Sequence, residues 1–213
     1  MIKTILFDFD GTLFDTGEGI LRSVQYALEG FGIHETDTAR LRKFVGPPLL
    51  DSFSELYAMT PEQAQAAVAR YRERYLPVGI YECTLYPGIP ELLSYLQDAG
   101  IQIAVASNKY QAATQKLIDH YFPEIHFTAV FGQREGIKVK PDPTVVFDIL
   151  EVAKVTKEEV LYVGDSGVDM QTAANARVTV CGVTWGFRPR AELEEFSPQY
   201  IVDTAEEIKR LIL

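Results

Sequence analysis

The chain is poor in the residues that would support several common chemistries. Among 213 residues there are two cysteines, Cys83 and Cys181, which are too few for a disulfide scaffold or a metal cluster, and both read as reduced structural thiols. His34, His120 and His126 are scattered, match no motif and read as structural or surface residues. Positive charge is scarce: 20 Lys and Arg stand against 30 Asp and Glu, a net charge of -10. That balance argues against nucleic acid or an anionic membrane as partner. An anionic substrate would have to be captured locally, by a metal, a lysine or helix N-termini. No apolar run is long enough to cross a bilayer. Met1 leads straight into an apolar strand without a signal-peptide pattern, so the expected location is cytoplasmic. There is no internal repeat and no low-complexity stretch.

What is present is ordinary for a globular protein: 47% hydrophobic and 23% charged residues. The length fits one large domain, or a core with a smaller insertion, and suffices to bury a sizeable core. The most informative stretch comes first. Ile2 to Phe7 is a short apolar run bounded by Gly11 and reads as a buried strand. Asp8 and Asp10 follow, on one face if the strand continues. Two carboxylates this close repel unless a cation neutralises them or one holds a proton. Both conditions suit a Mg²⁺-dependent site with a nucleophile and an acid/base, although Asp and Gly are also ordinary turn residues.

Along the chain, Thr16-Gly-Glu-Gly19 reads as a break, followed by an amphipathic helix from Ile20 to Phe31. Further helices are expected from Asp37 to Phe44, from Leu49 to Tyr57, and from Thr60 to about Tyr75. The last has Thr60 as N-cap, Pro61 at the first position and Gln63 three after the cap. Residues 16 to about 80 thus read as all-helical. From Pro90 onward, helices alternate with strands at 101–106, near 130–131, at 160–163 and at 179–183, ending in a helix over 205–212. That alternation predicts an α/β core, a parallel sheet covered on both faces. In such sheets ligands bind beyond the carboxyl ends of the strands. Three strands end in polar clusters there: Asp8/Asp10, Ser107/Asn108 and Asp165/Asp169, with Lys140 in the loop before another helix. The sixty-residue helical insert after the first strand is long for a connection, as lids and caps are.

On these residues the sequence resembles the haloacid dehalogenase superfamily of phosphotransferases. Asp8-Phe-Asp10-Gly-Thr-Leu matches its first motif, Ser107 the second, Lys140 before Pro141 the third, and Gly164-Asp165-Ser-Gly-Val-Asp169 the fourth. The helical insert is similar to the superfamily's alpha-helical cap. Val45-Gly-Pro-Pro-Leu49, Ser107-Asn-Lys109 and Thr184-Trp-Gly186 are like the corresponding stretches of phosphoglycolate phosphatases.

The resemblance implies a Rossmann-like doubly wound core, residues 1–15 and 82–213, with an all-helical cap over 16–81. It makes Asp8 the nucleophile that forms an aspartyl phosphate, and Asp10 the acid and then the base. Asp8, the Asp10 carbonyl and Asp165 would bind Mg²⁺, with Asp169 a direct ligand or, preferably, an orienter of bound water. Ser107 would hold phosphate oxygens and Lys140 would offset negative charge. Gly11 and Thr12, through their amides, together with Asn108, Lys109 and Arg42 are the expected substrate contacts; Trp185 is expected to pack. The implied activity is a phosphatase for a small phosphorylated metabolite, phosphoglycolate first. Pyrophosphate, a nucleoside monophosphate, a sugar phosphate or a phosphosugar mutase reaction are the alternatives. A phosphoaccepting signalling receiver fits less well, because it needs neither Asp10 nor the insert. The expected assembly is a monomer or homodimer.

Overall fold

The computed structural model describes residues 1–212. Two compact units are present: Met1–Phe14 with the chain from Leu85 onward, and Asp15–Thr84.

The first unit is built on a six-stranded sheet. It begins with β1 (Thr4–Phe7), every residue of which is buried. Short β2 (Phe14–Asp15) follows. The second unit then supplies α1 (Gly17–Glu29), α2 (Thr38–Arg42), α3 (Leu49–Tyr57) and α4 (Pro61–Tyr75) before the chain returns through β3 (Thr84–Leu85), which pairs with β2 as a two-stranded ribbon. The rest of the first unit alternates: α5 (Ile89–Asp98), β4 (Gln102–Tyr110), α6 (Gln111–Tyr121), β5 (Phe127–Gln133), α7 (Thr144–Ala153), β6 (Val160–Gly164), α8 (Gly167–Ala176), β7 (Thr179–Val183), α9 (Arg190–Glu195), β8 (Tyr200–Val202) and α10 (Ala205–Arg210).

The sheet order is β5-β4-β1-β6-β7-β8, and every pairing is parallel. Helices cover both faces, as the near-continuous apolar strands require: a parallel strand buried on two sides cannot alternate with polar residues. From β1 the chain builds outward through β4 and β5, then returns to build the other half through β6, β7 and β8. The order therefore reverses at β1, which is where an open α/β sheet leaves a crevice. Register makes this useful. Phe7 pairs with Val105 of β4 and Val163 of β6, so the three strands are level where β1 ends. The residues that follow, 8–10, 107–109 and 165, meet at one end.

In the second unit, the α4 start matches the sequence reading in detail. Thr60 Oγ1 accepts from the Gln63 amide, the Gln63 side chain accepts from the Thr60 amide, and Pro61 opens the helix. The first helix differs. It begins at Gly17, not Ile20, because the Asp15 carboxylate accepts the Gly17 amide at 3.1 Å and starts the turn early. The two glycines that read as a break lie inside α1. Gly19 is there for space: a Cβ on it would come within 2.0 Å of the Gly79 carbonyl oxygen. Among the described residues no helix is long and apolar enough to cross a membrane.

Candidate active site

The loop after β1 closes on itself. Phe9 O accepts the amides of Thr12, Leu13 and Phe14, and the Gly11 amide donates to Phe14 O at 2.8 Å. Gly11 has φ +87, a left-handed conformation that favours glycine. The Phe9 and Phe14 rings stack at 4.5 Å and anchor the turn in the core. This tight turn projects Asp8 and Asp10 from one end of β1. It also engages the Gly11 and Thr12 amides, expected substrate contacts, in closing the turn.

Lys140 is the hub. Its side chain is 3% exposed, and its ammonium group lies 2.7 Å from Asp8 Oδ1, 2.7 Å from Asp169 Oδ1 and 3.1 Å from the Tyr162 hydroxyl. Tyr162 in turn donates to Asp169 Oδ1 at 3.0 Å. The other oxygen of Asp169, Oδ2, accepts the Ser166 amide and hydroxyl at 3.1 and 2.6 Å. These bonds form the capping box that starts α8, with Ser166 as N-cap and Asp169 three residues on. Both oxygens of Asp169 are therefore engaged by protein donors.

The second strand end, 107–109, is not past β4 but within it. Between Ala106 and Tyr110 the pairing with β5 loses register, an irregularity that re-aims side chains. Ser107, buried, accepts the Lys109 amide at 3.2 Å. Lys109, also buried, reaches Asp10 Oδ1 at 3.0 Å. Asn108 pairs its amide with the Lys140 backbone in both directions, at 2.8 and 3.1 Å. It fixes the loop carrying Lys140. Arg42 ends α2 in the helical unit, with its side chain exposed.

Asp165 follows β6. It is 2% exposed and accepts the Phe187 amide at 2.7 Å. Oxygens of Asp8, Asp165 and Asp169 lie within 4.8 Å of one another. Four carboxylates (Asp8, Asp10, Asp165, Asp169) here face two ammonium groups (Lys109, Lys140), a formal excess of two negative charges. The protein alone does not stabilise this set fully. Burial, then the charge of Asp169, pushes Asp8 up to about 7 against the opposing pull of Lys140. Burial and the same neighbours raise Asp165 well above the usual carboxylate range. Burial alone would lower Lys140, but Asp169 and Asp8 hold it well above the ordinary lysine value. A hard divalent cation with oxygen ligands fits such a donor set in both chemistry and charge.

Two participants escaped the sequence reading. Tyr162 sits in a fully apolar strand and reads as core; only its hydroxyl in a buried run hints at a polar partner. Trp185, expected to pack, also donates its indole N–H to Thr12 O at 3.1 Å. The capping signature Ser166-x-x-Asp169 was available in the sequence and explains what Asp169 does locally.

Comparison with known proteins identifies the family. A 5'-nucleotidase from Pseudomonas aeruginosa is 38% identical over 203 residues, covering 94% of this chain and 91% of that protein. A phosphoglycolate phosphatase from Mesorhizobium japonicum is 31% identical, covering 98% of this chain and 96% of its own. Among solved structures, a predicted phosphatase from Clostridium acetobutylicum superposes with a TM-score of 0.91 at 34% identity, over 100% of this chain and 99% of that one. The family model for haloacid dehalogenase-like hydrolases matches residues 5–183, from β1 to the end of β7, a span that takes in Asp8, Ser107, Lys140 and Asp165. With its sheet order, its strand-end carboxylates and its buried lysine, this chain belongs to the haloacid dehalogenase-like hydrolase family.

Proposed function

We propose that the protein is a Mg²⁺-dependent phosphatase of a small phosphorylated metabolite, working through an aspartyl phosphate on Asp8. The observation that carries the reading is the Lys140 ammonium group held 2.7 Å from Asp8, at the level strand ends where Asp10 and Asp165 converge. Asp8, the Asp10 carbonyl and Asp165 would hold the cation, and bound there Mg²⁺ supplies positive charge to the carboxylates and to phosphoryl oxygens.

The residues of the chain do the remaining work. An Asp8 oxygen attacks phosphorus as the bond to the leaving oxygen breaks, and Asp10 gives that oxygen its proton. Asp10 then takes a proton from water, whose oxygen attacks the same phosphorus, and the Asp8–phosphorus bond breaks to release phosphate. Lys140 keeps Asp8 oriented and offsets charge that builds on the phosphoryl group. Ser107 holds phosphoryl oxygens, while Asp169 keeps Lys140 in place from behind. The division into a core (1–15 and 82–213) and a helical cap (16–81) belongs to the same proposal.

The relatives support a small phosphorylated substrate, ester or anhydride. Their names include 5'-nucleotidase, pyrophosphatase and phosphoglycolate phosphatase. A nucleoside 5'-monophosphate thus stands beside phosphoglycolate as a candidate. The test is phosphate release from a panel of both, with pyrophosphate and sugar phosphates, in Mg²⁺ and in EDTA. One preferred substrate, lost in EDTA, is the expected result. Release that is unaffected by EDTA would overturn the metal dependence, and no release from any panel member would overturn the phosphatase reading.

A further inference from the structure

We infer that the loop Trp185-Gly186-Phe187 is a positioning element for the metal-binding carboxylate Asp165, with the Trp185 indole clamping the first-motif turn against it. The inference rests on the Mg²⁺ phosphatase reading and deepens it.

Three observations converge. The Phe187 amide donates to Asp165 Oδ2 at 2.7 Å and so fixes the rotation of the carboxylate. Asp165 is wedged between two glycines: a Cβ added to Gly186 would lie 2.3 Å from both Asp165 Cβ and Oδ2, and one added to Gly11 would lie 2.3 Å from Oδ2. Both walls of the slot therefore have to be backbone. The Trp185 indole joins those walls, because its N–H donates to the carbonyl of Thr12, the residue after Gly11, 173 positions away in sequence. The loop is itself tied down. Thr184 donates its amide to Val202 O at 3.1 Å and its hydroxyl to Asp203 Oδ1 at 2.6 Å. Beyond it, Glu192 accepts the Gly167 amide at 2.9 Å, which ties α9 to the first turn of α8.

The physical reasoning is one of preorganisation. A buried carboxylate offered to a hard cation must present its oxygens without searching, since each rotamer lost on binding weakens affinity. The Asp165 side chain is fixed by one amide and two glycine faces. If the turn bearing Gly11 moved away, the slot would open. The indole N–H bonds this loop to that turn, and a ring alone would pack there without fixing the distance.

The experiment is Mg²⁺ binding by calorimetry to the wild-type protein, Trp185→Phe and Gly186→Ala, with melting temperatures in EDTA and steady-state kinetics against Mg²⁺. Trp185→Phe keeps the ring and removes the donor. Loss of one hydrogen bond predicts Mg²⁺ affinity weaker by about fivefold, with kcat recovered at saturating Mg²⁺. Gly186→Ala should weaken it further by crowding Asp165. A merely structural role for Trp185 would lower the melting temperature in EDTA and leave Mg²⁺ affinity unchanged, and that result overturns the inference. Trp185 is the sole tryptophan, so its emission provides a second test on the intact protein. A saturable change with the calorimetric midpoint is expected, and flat emission counts against the clamp. A wild-type protein that binds no Mg²⁺ would sink the phosphatase reading itself, an outcome distinct from unaltered affinity in the variant.

Discussion

Lys109 lies 3.0 Å from Asp10, just as Lys140 lies 2.7 Å from Asp8, so each carboxylate of the first motif has its own buried ammonium partner. The two lysines arrive differently. Lys140 comes from the loop before α7, fixed by Asn108, while Lys109 is the last site residue of the irregular stretch in β4 and also sits over the Phe9 ring, 5.4 Å from its centre. The arrangement gives the two acids different surroundings, as a nucleophile and an acid/base require.

Lys109→Met should remove the ammonium charge beside Asp10 and loosen its orientation. The expected loss in kcat/KM is about tenfold to a hundredfold, the scale at which misplacement of a catalytic group is felt. The loss should grow as the leaving group becomes poorer, because only poor leaving groups need the proton from Asp10. A series of aryl and alkyl phosphates checks this; an equal loss across the series would make Lys109 a phosphate contact instead.

Asp8→Asn removes the proposed nucleophile with little change in volume. Turnover should fall below detection, at least about 10³-fold, while circular dichroism stays native. Near-normal phosphate release in this variant would end the aspartyl-phosphate mechanism.

Metal-free stability should fall with rising pH. Asp8 keeps its proton in the folded protein up to about 7, whereas an unfolded aspartate loses it near 3.8. Between those values the folded state binds more protons than the unfolded state, so stability declines from about pH 4 to about pH 7 and then levels off for this group. Asp165, raised by burial, acts in the same direction. Thermal melts in EDTA at pH 5 and pH 7.5 test this, with Asp8→Asn as the control in which the slope should flatten.

Tyr162→Phe removes a hydroxyl that accepts from Lys140 and donates to Asp169. Both partners are buried and keep other bonds, so the expected cost is about 1–2 kcal/mol in urea unfolding. Turnover should fall only severalfold, since no reacting group is lost. An unchanged unfolding midpoint would show that the hydroxyl contributes nothing.

Gly19→Ala tests packing in the helical unit. In an exposed helix interior this change stabilises by about 1 kcal/mol. Here the new methyl group would meet the Gly79 carbonyl at 2.0 Å, so overpacking should win and cost about 1–3 kcal/mol. A stabilised variant would mean that the helix and the turn at 79–81 separate easily.

Much of this protein was legible before any fold was known. Apolar runs ending in carboxylates marked β1 and β6, and the alternation of strand and helix implied a parallel sheet. The Thr60-Pro61-x-Gln63 start of α4 is a local signal that needs no tertiary context, because the bonds it predicts lie within one turn. Where local signals misled, a distant atom was responsible. Gly19 read as a breaker because sequence cannot reveal a carbonyl sixty residues away that only glycine can approach.

The sequence by itself determined which residues carry charge at the strand ends, and therefore the class of chemistry. Only the tertiary structure decided their partners. It set Lys109 on Asp10, turned Asn108 to the Lys140 backbone, engaged the Gly11 and Thr12 amides inside their own turn, and brought Trp185 to Thr12. The reason is physical: periodicity and turn chemistry are local and survive in a one-dimensional reading, whereas a hydrogen bond spanning a hundred residues exists only once strand order and register have placed its two ends together.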